Sequence, residues 1–159
     1  TAPRAVGWRG RAHANDHLPL SRRDDVLAFA GARSAFAGAT SEAGAALSDL
    51  DLIETHDCFT VAELLQYEAF GLAEPGKGAT VIDSGRTERD GELPVNPSGG
   101  LKSKGHPIGA TGVSQHIMAA LQLTGEAGDM QVLGAELAAV FNMGGVAVAN
   151  YCSVLERVR

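Results

Sequence analysis

The chain has 159 residues, of which 45% are hydrophobic and 20% are charged, and its formal net charge at pH 7 is −6. This composition is typical of one globular domain, and the acidic balance, with no basic run beyond Arg22-Arg23, argues against a nucleic-acid-binding surface. No apolar stretch is long enough for a transmembrane helix, and two cysteines are too few for a disulfide scaffold, so we expect a cytoplasmic location.

The first third of the chain predicts one strand, two helices and a second strand. Residues Val6 to Ala12 partly alternate between apolar and polar types, as a strand does. A capping box at Ser21–Asp24 predicts an Ala-rich helix that ends near Ala39. A short helix over Ser41 to Leu47 and a buried strand over Leu50 to Glu54 follow.

The middle of the chain predicts a helix and then an exposed excursion. A second capping box at Thr60–Glu63 starts a helix that Gly71 ends. Four apolar residues form one stripe of this helix: Val61, Leu64, Leu65 and Leu72. Residues 79–93 are rich in charge around an Asp90-Gly91 turn, which favours a solvent-exposed segment.

The last third predicts one helix and two strands. A helix from about Gly109 to Leu123 would pack through four apolar residues: Val113, Ile117, Ala120 and Leu121. Strands at Leu137–Phe141 and Val146–Leu155 flank a turn at Asn142–Gly145, and both are apolar on two faces. Helices therefore alternate with strands, which indicates an α/β fold class.

The segment His56-Asp57-Cys58-Phe59 is the first candidate for chemistry. Cys58 lies two residues before the predicted helix cap Thr60, where the positive end of the helix dipole would lower the pKa of a thiol. Such a thiol can give and take a proton near neutral pH, and His56 is close enough in sequence to share its pocket. The alternative is that Cys58 is a small packed core residue beside Phe59.

Two glycine-containing loops are the other candidates. In Gly105–Gly109, the glycines allow close backbone approach to a ligand and hold His106 near a helix start, as a base or hydrogen-bond donor. In Asn142–Gly145, the backbone N–H groups of Gly144 and Gly145 could stabilise an oxyanion. The structural alternatives are an ordinary loop histidine and a tight hairpin.

Three segments together resemble the thiolase superfamily, and within it the SCP2-type thiolases. They are residues 54–60 (ETHDCFT), residues 94–112 (PVNPSGGLKSKGHPIGATG) and residues 141–145 (FNMGG). The long middle string is the most specific of the three. The resemblance covers nearly the whole chain but only the C-terminal half of the family, so residues 1–159 would be a thiolase C-terminal domain whose N-terminal half lies elsewhere.

The resemblance implies a fold and roles for three residues. Thiolases consist of two similar α/β halves, each a mixed five-stranded sheet with helices packed on its faces. A nucleophilic Cys in the N-terminal half forms an acyl-enzyme, and His106 would activate it. His56 stands where other thiolases have an Asn that holds a water in an oxyanion hole, and Cys58 stands at the acid/base thiol of SCP2-type enzymes.

The last loop departs from the pattern of other thiolases. Many of those carry a second catalytic Cys in a Cys-x-Gly motif, whereas this chain has Asn142-Met143-Gly144, so Cys58 must supply the acid/base function. Asn142 and Gly144 would contribute to the oxyanion and substrate-binding site. Phe141 replaces a His found in many SCP2-type sequences. Cys152 lies inside the final predicted strand, and we interpret it as a core residue.

The implied activity is acyl transfer: thiolysis of 3-oxoacyl-CoA or the reverse Claisen condensation. Coenzyme A would be a substrate, with no permanently bound cofactor and no metal. The expected partners are an acyl-CoA thioester, the N-terminal thiolase half, and further copies in a homodimer or tetramer. Two alternatives stay open: a thiolase-fold retro-aldolase or lyase acting on acyl-CoA, and a non-catalytic assembly subunit. We expect this chain alone to be inactive and to expose apolar surface.

Overall fold

A computed structural model describes residues 4–159 of the chain. Within that range four strands form one sheet in the order β1-β4-β3-β2: β1 (Val6–Asn15), β2 (Leu52–Glu54), β3 (Leu137–Gly144) and β4 (Ala149–Arg157). β4 pairs antiparallel with both β1 and β3, while β2 runs parallel to β3. Five helices accompany the sheet in the described residues: α1 (Ala30–Ala43), α2 (Thr60–Phe70), α3 (Gly78–Asp83), α4 (Gly100–Lys104) and α5 (Thr111–Thr124).

The α/β class is therefore confirmed, and the strand count differs by one. Where a fifth strand was expected, Val95 forms a single parallel bridge with Ile53 of β2. Pro94 and Asn96 hydrogen-bond the backbone of Ile53 at 2.9 and 2.7 Å, so the segment follows the sheet for only one residue pair. Asn96 has a left-handed φ of 51°, which turns the chain away from the sheet.

Helices cover both faces of the sheet, as the alternation of β3 side chains shows. Leu137, Ala139 and Phe141 belong to a core with residues of α1 and α2. Ala138 and Val140 belong to a second core with residues of α5. This two-sided burial explains why the strand is apolar at consecutive positions.

The predicted start of the first helix was wrong. Leu20–Arg22 forms a single 3-10 turn, and α1 begins only at Ala30. The side chain of Arg23 donates to the carbonyl of His17 at 2.9 Å and to that of Val146 at 2.8 Å. This long-range contact holds the segment out of helical conformation, so tertiary structure overrides the local capping signal.

The boundary between the first two predicted helices was also wrong. α1 continues through Ser41 to Ala43 and ends at Gly44, which is in the left-handed conformation. Residues 44–46 of the predicted second helix are not helical, and a 3-10 turn at Leu47–Asp49 follows them. The predicted buried strand is shorter than expected, since β2 begins at Leu52.

The apolar face predicted for α5 was assigned to the wrong side, and that of α2 was right except for one residue. In α5, Val113 and Ile117 are 63% and 53% exposed, whereas Ala119 and Leu123 are fully buried. In α2, Val61 is exposed, but Leu64 and Leu65 pack against the core and Leu72, just after the helix, is buried in it. Both helices have apolar residues on more than one side, so spacing alone does not identify which side packs on the sheet.

The last turn and the excursion before it also differ from expectation. Asn142 and Gly144 lie inside β3, and the turn to β4 spans residues 145–148. Val146 and Ala147 of that turn have φ of 57° and 59°, which is costly for residues with a branched or methyl side chain. The segment 79–93 is only partly exposed, because Val81 and Leu93 are buried.

Candidate active site

Two predicted site loops meet at the pair His56 and His106. His56 follows β2 and is buried, while His106 lies between α4 and α5 and is exposed. Their ring centroids are 4.8 Å apart, and the ring planes are nearly perpendicular at 87°. The two imidazoles thus share one site, although 50 residues separate them in the chain.

The surroundings of His56 favour its neutral form. Burial is the largest cause that lowers the pKa of His56, and charge repulsion from His106 lowers it further. The nearby side chain of Asn142 and the charge of Asp57 partly oppose this lowered pKa. A neutral ring can accept or donate a hydrogen bond to a substrate oxygen or a water.

Asp57 fixes the first loop to the second. Its buried carboxylate accepts the backbone N–H of Leu101 at 2.7 Å and that of Lys102 at 3.3 Å. The Lys102 ammonium lies 3.7 Å from the same carboxylate. Gly100 begins α4 with a φ of 64°, and a Cβ there would lie 2.2 Å from Asp57 Oδ2. Glycine is therefore required for this close approach.

Glu54 forms a second tie between the two loops. Its carboxylate, fully buried at the end of β2, accepts from the Ser98 hydroxyl at 2.7 Å and from the Ser98 N–H at 3.2 Å. The Lys104 ammonium lies 3.5 Å away and also donates to Ser98 Oγ at 2.8 Å. Burial raises the pKa of Glu54, opposed by these hydrogen bonds and by Lys104. Lys104 precedes His106 by two residues, so the cluster anchors the loop that carries it.

The environment of Cys58 contradicts the expected effect of the helix dipole. α2 begins at Thr60, and Cys58 lies just before it, half-buried against the main core. Burial raises the pKa of the Cys58 thiol and the nearby Asp57 adds to this, outweighing the backbone hydrogen bonds and Lys102, which act the other way. The expected low pKa was wrong. The raised pKa favours the protonated form of this thiol.

Asn142 reaches the same site from β3. Its amide nitrogen lies against the start of α5, where a Cβ on Gly112 would be only 3.0 Å away. Oδ1 of Asn142 and Nδ1 of His56 are both buried and lack a hydrogen-bond partner within residues 4–159. The amide oxygen only accepts a hydrogen bond and the imidazole nitrogen can donate or accept one, so the two atoms are suited to binding a shared water.

The structure also places the last two predicted residues, Gly144 and Cys152. Gly144 is exposed at the end of β3, opposite Ala149 of β4, so it belongs to a strand end instead of the predicted loop. Cys152 is buried in β4, and burial raises its pKa to about 12. Its expected core role is confirmed.

Sequence reasoning missed three residues that hold the site together. Glu54 and Asp57 carry the contacts between the loops, and Thr111 lies 2.7 Å from Nδ1 of His106. A partial signal was available, because Glu54, Asp57 and Lys104 are charged residues within otherwise apolar or glycine-rich motifs. Charged residues that become buried need a partner, and the opposite charges on the two motifs are compatible with such pairing.

Comparison with known proteins identifies the family. Residues 12–157 match the family model "Thiolase C-terminal domain-like". The chain belongs to this family. It is 42% identical over 137 residues to the acetyl-CoA acetyltransferase of Methanothermobacter thermautotrophicus, covering 86% of this chain and 36% of that protein. It is 52% identical over 103 residues to human sterol carrier protein 2, covering 65% of this chain and 19% of that protein.

Solved structures agree on the fold. The Ltp2-ChsH2(DUF35) aldolase matches 97% of this chain and 40% of its own with a TM-score of 0.85, at 20% identity. An SCP2-thiolase-like protein from Mycobacterium smegmatis matches 95% of this chain and 29% of its own with a TM-score of 0.71, also at 20% identity. These two structures show the fold alone. The family model and the curated relatives make the chain an SCP2-type thiolase C-terminal domain, and it spans 36% or less of the length of the two relatives named above.

Two other features are absent from residues 4–159. None of their helices combines the length and apolar character needed to cross a membrane. Nor do the described His, Cys, Asp and Glu side chains form a group of three or more placed to hold a metal ion.

Proposed function

We propose that the chain is the C-terminal half of a thiolase that cleaves 3-oxoacyl-CoA with coenzyme A, or runs the reverse condensation. The observation that carries the proposal is the meeting of His56 and His106 at 4.8 Å in loops that also carry Cys58. An exposed imidazole, and a thiol that lies two residues from His56 in the chain, are suitable groups for acid–base chemistry on a thioester. The N-terminal half would supply the nucleophilic thiol.

In the proposed reaction His106 takes the proton of that nucleophile. The resulting thiolate attacks the 3-oxo carbonyl carbon, and the bond between C2 and C3 breaks, which leaves an acyl-enzyme and the carbanion of acetyl-CoA. The Cys58 thiol protonates the carbanion, consistent with its raised pKa. The Cys58 thiolate then takes the proton from the incoming coenzyme A thiol, which attacks the acyl-enzyme. The shortened acyl-CoA is released, and the departing enzyme thiolate takes its proton back from His106.

His56 and Asn142 are proposed to hold a water that donates to the thioester oxygen: Asn142 Oδ1 accepts one proton of this water, and the His56 ring can donate to its oxygen. Support comes from their two buried polar atoms, which have no hydrogen-bond partner in the described part of the chain. A donor aimed at that oxygen would stabilise the enolate form of the carbanion. Gly144 is proposed to contribute a backbone N–H nearby, at the exposed end of β3.

The apolar outer side of α5 is proposed to contact the N-terminal half. Trp8 is 66% exposed there beside Val113 and Ile117, and Leu155 and Ala120 line the same surface. A patch of this kind is unusual on a free monomer. The dimer or tetramer of the parent enzyme, its cytoplasmic location and the lack of a permanently bound cofactor stay predictions.

A chimera tests the proposal. This chain would replace the matching segment of the Methanothermobacter thermautotrophicus enzyme, and acetoacetyl-CoA cleavage would be measured in the presence of coenzyme A. We expect turnover by the chimera and none by the chain alone. Cys58→Ser should lower kcat by about 10²–10⁴-fold, the usual contribution of acid–base catalysis. Cys152→Ser is the matched control. It should not lower kcat in the way that Cys58→Ser does, because Cys152 is buried in β4 and cannot reach a substrate.

Other results would point to the alternatives. Turnover by the chain alone would contradict the need for a second half. Cleavage of a 3-hydroxyacyl-CoA without any covalent acyl-enzyme in mass spectrometry would favour a lyase. A folded chimera inactive toward both substrates would favour a non-catalytic assembly subunit.

A further inference from the structure

Thr111 lies at the point where the loop of His106 becomes helix α5. We propose that the Thr111 hydroxyl fixes the tautomer of His106, with the proton on Nδ1 and the lone pair on Nε2. Thr111 is then a positioning residue, since it acts through the imidazole. The inference rests on the proposed role of His106 as a base, but its direct observable, the position of a proton, is independent of activity.

The geometry assigns the direction of each hydrogen bond. Thr111 is 4% exposed, and its Oγ1 lies 3.2 Å from the carbonyl oxygen of Pro107, four residues earlier. A threonine hydroxyl in a helix commonly donates its proton to that carbonyl. Because a hydroxyl has one proton, its lone pair then faces Nδ1 of His106 at 2.7 Å. Nδ1 must donate this bond, so it carries the proton.

The consequence for chemistry is specific. A neutral histidine has one protonated nitrogen and one lone pair, and only the lone pair can accept a proton from a thiol. His106 is exposed, so water would otherwise influence its tautomer. Among residues 4–159, Thr111 is the hydrogen-bond partner of this ring, and His56 packs edge-on against it at 87°. These two contacts leave Nε2 as the atom free to act as the base.

The chain contains two reference histidines for the test. In His116, Nδ1 lies 2.7 Å from the carbonyl oxygen of Gly112, and since a carbonyl only accepts, this nitrogen carries the proton. In His13, Nε2 lies 2.9 Å from Oδ1 of Asn15, which requires the opposite tautomer. His116 also lies in α5, so its signals report whether that helix stays folded in a variant.

The experiment is two-bond ¹H–¹⁵N correlation NMR of the chain at about pH 8.5, above the ordinary histidine pKa of about 6.5. His106 should show the pattern of His116, with a protonated Nδ1. Thr111→Val keeps the shape of the side chain but removes the hydroxyl, and the His106 pattern should shift toward that of His13. Thr111→Ser keeps the hydroxyl and should keep the original pattern.

Two results would overturn the inference. One is a wild-type His106 whose pattern already matches His13, which would mean that the hydroxyl donates to Nδ1. The other is a His106 pattern that is the same in T111V as in wild type while His116 shows an intact helix. If T111V does not fold, the His106 pattern in wild type and in T111S still shows which ring nitrogen carries the proton.

Activity gives a separate reading in the chimera. T111V should lower kcat at least about tenfold with little change in KM, because the wrong histidine tautomer costs about 10⁴-fold in the serine-protease triad. T111S should retain most of the rate. If the chimera is inactive but the NMR pattern is as expected, the proposed function fails while the role of Thr111 stands.

Discussion

Replacing Gly100 with alanine should destabilise the chain far more than a surface substitution does. Gly100 opens α4 with a φ of 64°, and the added Cβ would fall 2.2 Å from Oδ2 of Asp57. That carboxylate is buried and bonds the backbone N–H of Leu101 at 2.7 Å. Alanine therefore has to displace the group that joins the two loops of the candidate site.

The expected cost has two parts. A non-glycine residue in left-handed backbone costs about 1–2 kcal/mol. Losing a buried hydrogen bond to a charged group costs about another 1.5–3 kcal/mol. We expect a total of about 3–5 kcal/mol for Gly100→Ala. Gly44→Ala is the matched control, because Gly44 has a φ of 61° and no atom of residues 4–159 within 4 Å of its added Cβ. It should cost about 1–2 kcal/mol, the strain alone.

Urea unfolding followed by circular dichroism measures both variants by linear extrapolation. The excess cost of Gly100→Ala over Gly44→Ala should be about 2 kcal/mol, and it should vanish in the Asp57→Ala background, where the space is free. Coupling of this kind is what a double-mutant cycle isolates. Equal losses for the two glycines, or an excess that persists without Asp57, would refute the proposed clash.

Three further predictions follow from other contacts. The lowered pKa of His56 means that the unfolded chain binds this proton more tightly, so stability should fall as pH drops through the ordinary value of 6.5. His56→Asn should remove that part of the slope in urea unfolding measured between about pH 5 and 8, and an unchanged slope would contradict the shift. Arg23→Met should lower the free energy of unfolding by about 2–3 kcal/mol and speed amide exchange in residues 145–148, because two charge-assisted bonds to backbone carbonyls are lost. Slow exchange in that turn of the variant would contradict a stabilising role for these two bonds. Ile117→Ser should change stability by no more than about 0.5 kcal/mol, since the residue is 53% exposed, but it should reduce self-association in sedimentation velocity. A wild-type chain that stays monomeric would contradict the expectation that the exposed apolar side of α5 promotes self-association.

The meeting of the two site loops could be predicted from sequence. The order and content of the motifs around His56 and His106 indicate a thiolase site, and the structure brings these two rings to 4.8 Å. What the motifs did not supply was the reason why the loops stay together. Glu54 and Asp57 are buried in the structure and accept hydrogen bonds from residues about 44 positions later. Their charges hint at partners, but a pattern of local spacing does not specify which distant residues pair with them.

The errors have a common physical cause, which is that packing decides between locally acceptable alternatives. The capping signal at Ser21 was real as a pattern, but Arg23 bonds the distant Val146 carbonyl instead. The dipole argument for Cys58 was sound in sign, but burial of the sulfur outweighs it. The side of α5 that packs was misassigned because Ile117 is as apolar as the residues that face the sheet.

The most direct test of the account is to find which cysteine carries the acyl group during turnover, because the N-terminal half is proposed to supply the nucleophile and Cys58 the acid/base thiol. The chimera would be mixed with acetoacetyl-CoA, quenched in acid, digested and mapped by mass spectrometry. We predict an acetyl group on a cysteine of the N-terminal part, with Cys58 unmodified. An acetyl group on Cys58 would contradict the assignment, because this thiol would then be the nucleophile and His106 its base.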